Sequence, residues 1–551
     1  MGCAGQQPPR DSILSRARRA HRPRAHRLAA RPGPRRRRRG PMIRLFVNAT
    51  VLTLDASLPV AQALAVKNGR IVEVGGTDEV LWLREDEYEV IDLQGRTVVP
   101  GFVDPHNHFS IGAFETLWAD CREARSVADL QRALTAAAVD TPVGAWVRAV
   151  GYDHRLIGLH PTRGDLDAAV PDRPALLMHF SHHQCVANSR ALAEAGIARG
   201  TPDPPGGQIA RDKSGEPTGL LFERAMSRVE TLSREAWEAR FVEVARAASR
   251  RYAALGITAI QDAAVTPAMA RRYAEARAAG ALAIDVGELM VGSRGWFERP
   301  DDAAAGALKI FVDGGYRCAM RVRRDGATRT SGFLFYTREE LTALLLAAWR
   351  AGRSVVCHAI GNLGVETAVD AIKDAVGAFP DGRERVRIDH AIFLTPDLIA
   401  RIADLGIWVV VQPSFLWDSR DRPNATPADP AILQRPFASA GLAGVKQAFS
   451  SDYPCGSNSP IVGIAAAVTR TSREGHVAAP DEAMAVADAL EAYTLGAARA
   501  AGLDAIAGSL ESGKRADLLV LSSNPLECAR AELASIRVLE TWTNGVRSNP
   551  P

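Results

Sequence analysis

The sequence has no apolar run long enough to cross a membrane, because none of its segments approaches 18 uninterrupted apolar residues. Its seven cysteines are scattered, odd in number and without a C-x-x-C pair, which argues against a disulfide framework or a cysteine zinc cluster. A reducing cytoplasm fits that cysteine pattern. Hydrophobic residues make up 47% and charged residues 24% of the chain, the composition of a folded globular protein.

Acidic residues are almost absent from the first 41 positions, which hold 13 arginines and a single acid, Asp11. Without this leader 54 basic and 62 acidic residues remain, a net charge of −8 instead of +4. No nucleic-acid partner is therefore expected. The leader has no apolar core for a secretion signal. Since Met42 directly precedes strand-like sequence, residues 1–41 are interpreted as a disordered or wrongly translated leader; a tail that binds an anionic surface or targets an organelle is the alternative.

Short β-rich segments occupy both ends of the remaining chain. An Asn68-Gly69 pair separates two of them near the start, and Asn544-Gly545 recurs near the end, each a strong hairpin signal. Residues 42–96 and 505–551 are therefore predicted to form one β-domain beside a central domain.

Between these ends, apolar runs alternate with alanine-rich stretches, which predicts parallel strands joined by helices over residues 97–504. Eight candidate strands suggest a closed (β/α)8 barrel of the α/β class: Thr97–Asp104, Ile257–Gln261, Ala283–Leu289, Ala307–Val312, Ser354–His358, Val386–His390, Trp408–Gln412 and Gln447–Asp452. The long gap after the first strand, residues 109–255, is predicted to be an insertion with its own strands and helices over the active-site face.

Two histidines one residue apart, His106 and His108, end the first predicted strand in PGFVDPHNH. Residues i and i+2 of a strand point to the same face, so both rings can reach one metal ion. The H-x-H pattern alone is weak evidence, but its place at the end of a barrel strand favours a metal site.

Further candidate ligands end later strands. His358 and His390 follow apolar runs, and because all strands of a parallel barrel end at one rim, they are expected to converge on the first pair. Asp452 ends the last strand and is interpreted as a metal-bound carboxylate that shuttles protons. Pro454 and Gly456 follow it, so a turn aspartate is the alternative.

Lys309 lies inside the apolar run ALKIFVDGG, where a buried ammonium is costly unless it is paired, neutral or modified. A lysine with a depressed pKa can react with carbon dioxide, and the resulting carbamate could bridge two metal ions. An unmodified lysine beside a single metal is the alternative.

The sequence from about Met42 to the C-terminus resembles the amidohydrolase superfamily, within it the amidohydrolase family 3 branch of formamide-deformylase-like proteins. The resemblance rests on an ordered series of motifs: PGFVDPHNH, GYDHRLIGLHPTRGDLD, HHQCVANSRAL, GGQIARDKSGEPTGLLFE, KIFVDGG, CHAIGN, RIDHA, VVVQPSF, SSDYP, AYTLGAARAAG and GSLESGKRADLLVL.

This resemblance implies a barrel beside a composite β-sandwich, and it supports the six candidate metal ligands: His106, His108, Lys309, His358, His390 and Asp452. It also implies that His183 touches the substrate or an oxyanion, although the adjacent His182 could take that place. Asn362 departs from the pattern, because the family's CHAIGD-like motif usually ends in aspartate.

The expected activity is hydrolysis of a carbon–nitrogen bond in a small-molecule amide or formamide. One or two divalent ions are expected, with zinc the first choice for imidazole and carboxylate ligands and manganese or iron as alternatives. The rival interpretations are deamination, lactone hydrolysis or isomerisation in the same barrel, and a non-catalytic binding protein. Specificity is expected to lie in the insertion between Phe109 and Leu255 and in the loop after Gln412. Phe415, Trp417 and Tyr316 suggest an apolar or aromatic group on the substrate, with plain packing as the alternative. A homodimer is compatible with the sequence, which does not determine the oligomeric state.

Overall fold

We analysed a computed structural model of the chain, which describes residues 42–84, 87–291, 307–316, 318–324, 328–419 and 431–549. The predicted leader, residues 1–41, lies outside these ranges. None of the helices within them is long and apolar enough to cross a membrane.

Within the described residues, eight parallel strands form one sheet in chain order. Hydrogen bonds from the segment after the last strand to the first strand bring the two edges together, from Asp452 N to His106 O at 2.9 Å and from His108 N to Tyr453 O at 2.8 Å. The sheet is thus a nearly closed TIM-like barrel. Its strands are Phe102–Asn107, Ile257–Val265, Asp285–Val291, Ala307–Phe311, Val355–Ala359, Val386–His390, Trp408–Val411 and Lys446–Phe449.

The first predicted strand, Thr97–Asp104, was wrong as a single element. Thr97–Pro100 pairs with Thr50–Leu52 and Leu518–Leu521 in another sheet, and the barrel strand begins only at Phe102. Gly101 lies between them, and a Cβ there would come within 2.2 Å of the Thr258 Oγ1 atom. Gly101 therefore lets one apolar run pass from the terminal sheet into the barrel, a break that hydrophobicity alone does not reveal.

The helix Pro396–Leu405 illustrates why the segments between barrel strands fold as they do. Thr395 caps its first turn by accepting a hydrogen bond from Leu398 N, and Gly406 ends it in the left-handed region. Its buried residues, Leu398, Ile399, Ile402 and Leu405, recur at helical spacing and face the core. Other helices around the barrel are Phe241–Ala254, Pro267–Ala278, Arg338–Arg350, Asn362–Ala378, Ser414–Trp417, Phe437–Leu442, Pro460–Thr469, Val486–Tyr493 and Leu495–Ala501.

Both ends of the chain contribute to a six-stranded sheet, ordered Val546–Arg547, Val538–Thr543, Leu518–Leu521, Thr97–Pro100, Thr50–Leu52 and Val60–Ala61. A four-stranded sheet consists of Arg70–Gly75, Ala63–Lys67, Ile43–Val47 and Tyr88–Asp92. Phe46 and Leu64 from the smaller sheet share an apolar cluster with Val98, Val520 and Trp542 from the larger one. The two sheets therefore pack on a common core, with a short helix at Thr77–Leu81 beside the smaller sheet.

The segment between the first and second barrel strands carries its own secondary structure, as the sequence predicted. Its six-stranded sheet is ordered Gly207–Arg211, Pro217–Glu223, Gln184–Ala187, Ala175–His179, Val147–Tyr152 and Ala119–Asp120. Its helices are Phe109–Glu115, Val127–Asp140, His154–Ile157, Arg163–Ala169, Ser189–Glu194 and Ser227–Arg234.

Candidate metal centre and active-site cavity

His106 and His108 lie at the carboxyl end of the first barrel strand and turn their Nε2 atoms toward one carboxylate. The His106 Nε2 and His108 Nε2 atoms are 3.2 and 3.1 Å from Asp452 Oδ1. A backbone carbonyl fixes the second ring, because His108 Nδ1 lies 2.6 Å from Ala263 O. One ligand atom from each of these three residues lies within 4.8 Å of the others, a spacing at which they could share one metal ion.

Asp452 follows the last barrel strand by three residues and is almost fully buried. Its φ of 54° is in the left-handed region, and its amide donates to His106 O at 2.9 Å. Burial alone would raise the pKa of Asp452, but the His106 charge and the close contacts with His106 and His108 hold it well below its usual range. The carboxylate is therefore ionised at neutral pH.

His358 and His390 end neighbouring barrel strands, and their ring centroids are 4.4 Å apart. Burial lowers the pKa of His390 to about 3 and that of His358 well below its usual range, so both rings are neutral at pH 7. His390 Nδ1 lies 2.8 Å from Gln412 Oε1, which fixes that ring. A neutral imidazole with a fixed orientation is the form that binds a metal.

Two buried ring nitrogens at this rim, His358 Nε2 and His390 Nε2, have no hydrogen-bond partner among the described residues, and the buried Asp452 Oδ1 atom lies close to the His106 and His108 Nε2 atoms without a hydrogen bond. Buried polar atoms normally have partners, so such a cluster requires an explanation. Imidazole nitrogen and carboxylate oxygen are the ligands that zinc and related divalent metals prefer. The residues present therefore fit a divalent metal ion.

Asp389 was not predicted as a site residue, yet its carboxylate contacts the ring nitrogen of His106 that does not face Asp452. Its Oδ2 atom lies 2.6 Å from His106 Nδ1 and accepts a hydrogen bond from Lys309 Nζ at 3.1 Å. Its Oδ1 atom accepts a hydrogen bond from Arg387 Nε at 2.9 Å. The carboxylate thus orients His106 so that its Nε2 faces Asp452, as carboxylates do for metal-binding histidines elsewhere.

Asp389 and His390 are consecutive but both reach the barrel interior. Strand alternation would send them to opposite faces, but His390 has a φ of 82°. This left-handed conformation, which is costly for a residue other than glycine, redirects its side chain. Arg387 and Asp389 follow the alternation and share a face. This spacing of opposite charges is a signal in the sequence from which their pairing could have been predicted.

Lys309 is fully buried, and its Nζ atom lies 3.3 Å from His106 Nδ1, the ring nitrogen that faces Asp389. Burial lowers the pKa of Lys309, while Asp389 opposes that effect. In this position the lysine is an ion-pair partner of Asp389.

His183 faces the cavity, whereas His182 does not line it. The ring of His183 lies 5.9 Å from that of His358, and its Nδ1 atom lies 2.9 Å from Glu223 Oε2. His182 Nε2 instead lies 2.9 Å from Glu115 Oε1. Of the two histidines left open by the sequence, the structure therefore places His183 at the site. Glu223 was missed as a site residue, although it ends the motif GGQIARDKSGEPTGLLFE.

A cavity of about 220 Å³ opens above these groups. Residues of the barrel line it, and so do residues of the insertion, among them Arg155, His179 and Gln184. Its apolar surface comes from Phe180, Tyr316, Ile360, Ile392 and Phe415. Phe415 and Tyr316 thus lie where the sequence predicted an apolar group, whereas Trp417 packs against the hydrophobic core. Asn362 is buried at the start of its helix and is not among the described lining residues.

A second group of candidate ligands, Asp153, His154 and His179, lies beside the cavity. His154 Nδ1 and His179 Nε2 are 3.0 Å apart. The Asp153 carboxylate, however, binds the Arg155 guanidinium at 2.7 to 3.1 Å. The group around Asp452 is therefore the better metal candidate.

Fold and site together define a class, the barrel hydrolases that hold a metal ion at the carboxyl ends of their strands. Residues 89–548 match the model of the amidohydrolase family. The chain is 35% identical over 530 residues to an N-substituted formamide deformylase from Arthrobacter pascens, an alignment that covers 91% of this chain and 97% of that protein. The chain therefore belongs to the amidohydrolase family and is a hydrolase of carbon–nitrogen bonds.

Other similar proteins span nearly the same length. Protein LONG AFTER FAR-RED 3 from Arabidopsis thaliana is 29% identical, over 92% of this chain and 91% of that protein. The crystal structure of an uncharacterized metal-dependent hydrolase from Pyrococcus horikoshii superposes with a TM-score of 0.71 at 24% identity, covering 89% of this chain and 99% of that one. The latter similarity supports the fold.

Proposed function

We propose that this enzyme hydrolyses the carbon–nitrogen bond of an N-substituted formamide or a similar small amide. The observation that carries the proposal is the convergence of two buried ring nitrogens without hydrogen-bond partners, His358 Nε2 and His390 Nε2, with the Asp452 carboxylate at a cavity with apolar walls. The activity for which the Arthrobacter relative is named supports formamides as the first substrates to test.

We propose that His106, His108 and Asp452 hold the principal metal ion, with His358 and His390 beside it. Zinc is the first choice because the donor set is imidazole and carboxylate. When bound, such an ion supplies Lewis acidity and lowers the pKa of water to about 7. A second ion between His358 and His390 would use their partnerless nitrogens.

Within this site, Asp452 is the group that accepts and returns a proton. Its carboxylate is ionised and lines the cavity. A proton that Asp452 takes from the attacking water can pass to the amine nitrogen, which must be protonated to leave as the carbon–nitrogen bond breaks.

We propose that His183 binds the carbonyl oxygen of the substrate. Burial alone would lower the pKa of His183, but the Glu223 carboxylate raises it above its usual range, which favours the protonated imidazole. A protonated ring donates a hydrogen bond where negative charge develops on the oxygen. Glu223 is itself held by the Gly315 amide, which donates to its Oε1 at 3.0 Å.

A substrate panel tests the proposed function. We expect the metal-loaded enzyme to hydrolyse N-benzylformamide faster than N-benzylacetamide, a cyclic amide, an aminopyrimidine or a lactone, with amine release as the readout. Turnover of the aminopyrimidine or lactone without any amide hydrolysis would assign the barrel to deamination or lactone hydrolysis instead. No turnover of any substrate by metal-loaded protein would support a binding protein.

Lys309 has two predicted forms, and its geometry favours the unmodified one. An ammonium 3.1 Å from Asp389 already has the partner that burial demands, whereas a carbamate would place negative charge against that carboxylate. We therefore expect a crystal structure of metal-loaded enzyme at high resolution to show a bare amine pointing at Asp389. Density for three extra atoms on Nζ between two metal ions would instead establish the carbamate bridge.

A further inference from the structure

Arg435 lines the same cavity as His358, His390 and Asp452. It follows the short strand Leu433–Gln434 and precedes the helix Phe437–Leu442. The metal centre described above uses no part of this side chain.

The backbone of Arg435 is fixed in an unusual conformation. Its φ is 52°, a left-handed value that is unfavourable for a residue with a side chain. Its amide donates to Ile392 O at 2.8 Å, and its carbonyl accepts a hydrogen bond from Arg470 Nη1 at 3.2 Å. These contacts fix the backbone of Arg435, whose guanidinium faces the cavity.

The charge of Arg435 has no acidic partner among the described residues. Its Nε atom is buried without a hydrogen-bond partner, and the guanidinium carbon lies 5.8 Å from the centroid of the Tyr316 ring. Burial lowers the pKa of Arg435. Burial also lowers the pKa of the nearby Arg470 to about 10, and the Arg435 charge adds to this effect. The positive charges of Arg435 and Arg470 thus lie close together.

The other charged groups that line the cavity have partners. Arg155 pairs with Asp153, Asp452 contacts the metal-site histidines, and Asp418 accepts a hydrogen bond from Ser457 N at 2.6 Å. Within the described residues, Arg435 is therefore the one cavity cation without an ion pair. Buried charges normally have a partner, so a ligand is the simplest source of one.

We propose that Arg435 binds a carboxylate carried by the substrate, so that the preferred substrate is an amide or formamide with an anionic group on its apolar body. A guanidinium matches a carboxylate with two parallel hydrogen bonds. Tyr316, Ile392 and Phe415 line the same cavity and would contact the apolar body. This inference rests on the proposed function for the reaction, but the anion subsite can be tested by binding alone.

The test compares benzoate with nitrobenzene, which has nearly the same shape but no net charge. With metal-loaded wild-type enzyme at pH 7, we expect calorimetry to show benzoate binding at least about tenfold more tightly than nitrobenzene. Arg435→Met should lower the affinity for benzoate about tenfold or more and change the affinity for nitrobenzene by less than about threefold. Arg435→Lys should keep part of the benzoate affinity that Arg435→Met loses. Arg155→Met is the matched control, because that cation already has a partner; its benzoate affinity should change less than that of Arg435→Met.

Each result decides the proposal. Equal benzoate binding by wild type and Arg435→Met would overturn it, since binding to the metal alone does not depend on Arg435. An equal loss in Arg155→Met would also overturn it, because general cavity charge would then explain binding. If Arg435→Met does not fold, Arg435→Gln takes its place with the same expected loss, and no preference for benzoate in wild type overturns the subsite.

A turnover comparison separates this inference from the proposed function. N-Benzylformamide and its para-carboxylate should both be hydrolysed, and Arg435→Met should reduce kcat/KM for the carboxylate about tenfold relative to the neutral substrate. Hydrolysis of both with an unchanged ratio would reject the subsite and keep the amidohydrolase function. Arg435-dependent benzoate binding without hydrolysis of either substrate would keep the subsite and reject that function.

Discussion

Replacing Asp452 by asparagine is expected to lower turnover by about 10² or more, the scale for loss of a general base. Asparagine has nearly the same size but cannot accept the proton that this carboxylate is placed to take. The protein should stay folded and largely metallated, because His106 and His108 remain. Single-turnover rates and metal content of the same preparation measure both effects.

Asp418→Asn provides the matched control for this substitution. Asp418 also lines the cavity, but it accepts a hydrogen bond from Ser457 N and does not contact the histidines in any described pair. We expect its turnover to change by less than about tenfold. Near-normal turnover of Asp452→Asn would return that residue to the alternative interpretation, a structural turn aspartate.

The largest expected effect on stability comes from Asp389→Asn. Asp389 is fully buried and faces Arg387, Lys309 and His106. Burial alone would raise the pKa of Asp389, but these three neighbours hold it well below its usual range. Asparagine removes the negative charge and leaves the buried Arg387 and Lys309 side chains without their anionic partner. The free energy of unfolding should fall by about 3–5 kcal/mol, seen as a lower thermal midpoint at fixed metal concentration.

An exposed ion pair supplies the control for that prediction. Asp374 accepts two hydrogen bonds of 2.6 Å from Arg338, but the side chains are 40% and 46% exposed. Asp374→Asn should therefore cost about 1 kcal/mol or less. Similar midpoints for the two variants would mean that Asp389 does not compensate the buried cations.

Several features of the site follow directly from the sequence because they depend on one local rule. Parallel barrel strands end at one rim, so His106, His358 and His390 could be placed together although they are far apart in the chain. The two-residue spacing put His108 on the same metal-facing side as His106. Val386–His390 was predicted with its observed bounds.

Other features depend on contacts that no local pattern encodes. Glu223 reaches His183 only because the insertion folds its own sheet. Arg435 lines the cavity from a backbone position whose own φ is left-handed. The position of Lys309 behind His106 also required the packed barrel, since its sequence alone allowed a place between two metal ions.

Metal content measured together with activity decides whether this chain is a metal-dependent carbon–nitrogen hydrolase built on His106, His108 and Asp452. Purified enzyme should contain at least one equivalent of a divalent metal per chain, lose that metal and N-benzylformamide hydrolysis together on chelation, and regain both when zinc is restored. His108→Ala should bind less metal under the same conditions. Full hydrolysis by metal-free protein, or unchanged metal content in His108→Ala, would contradict this account.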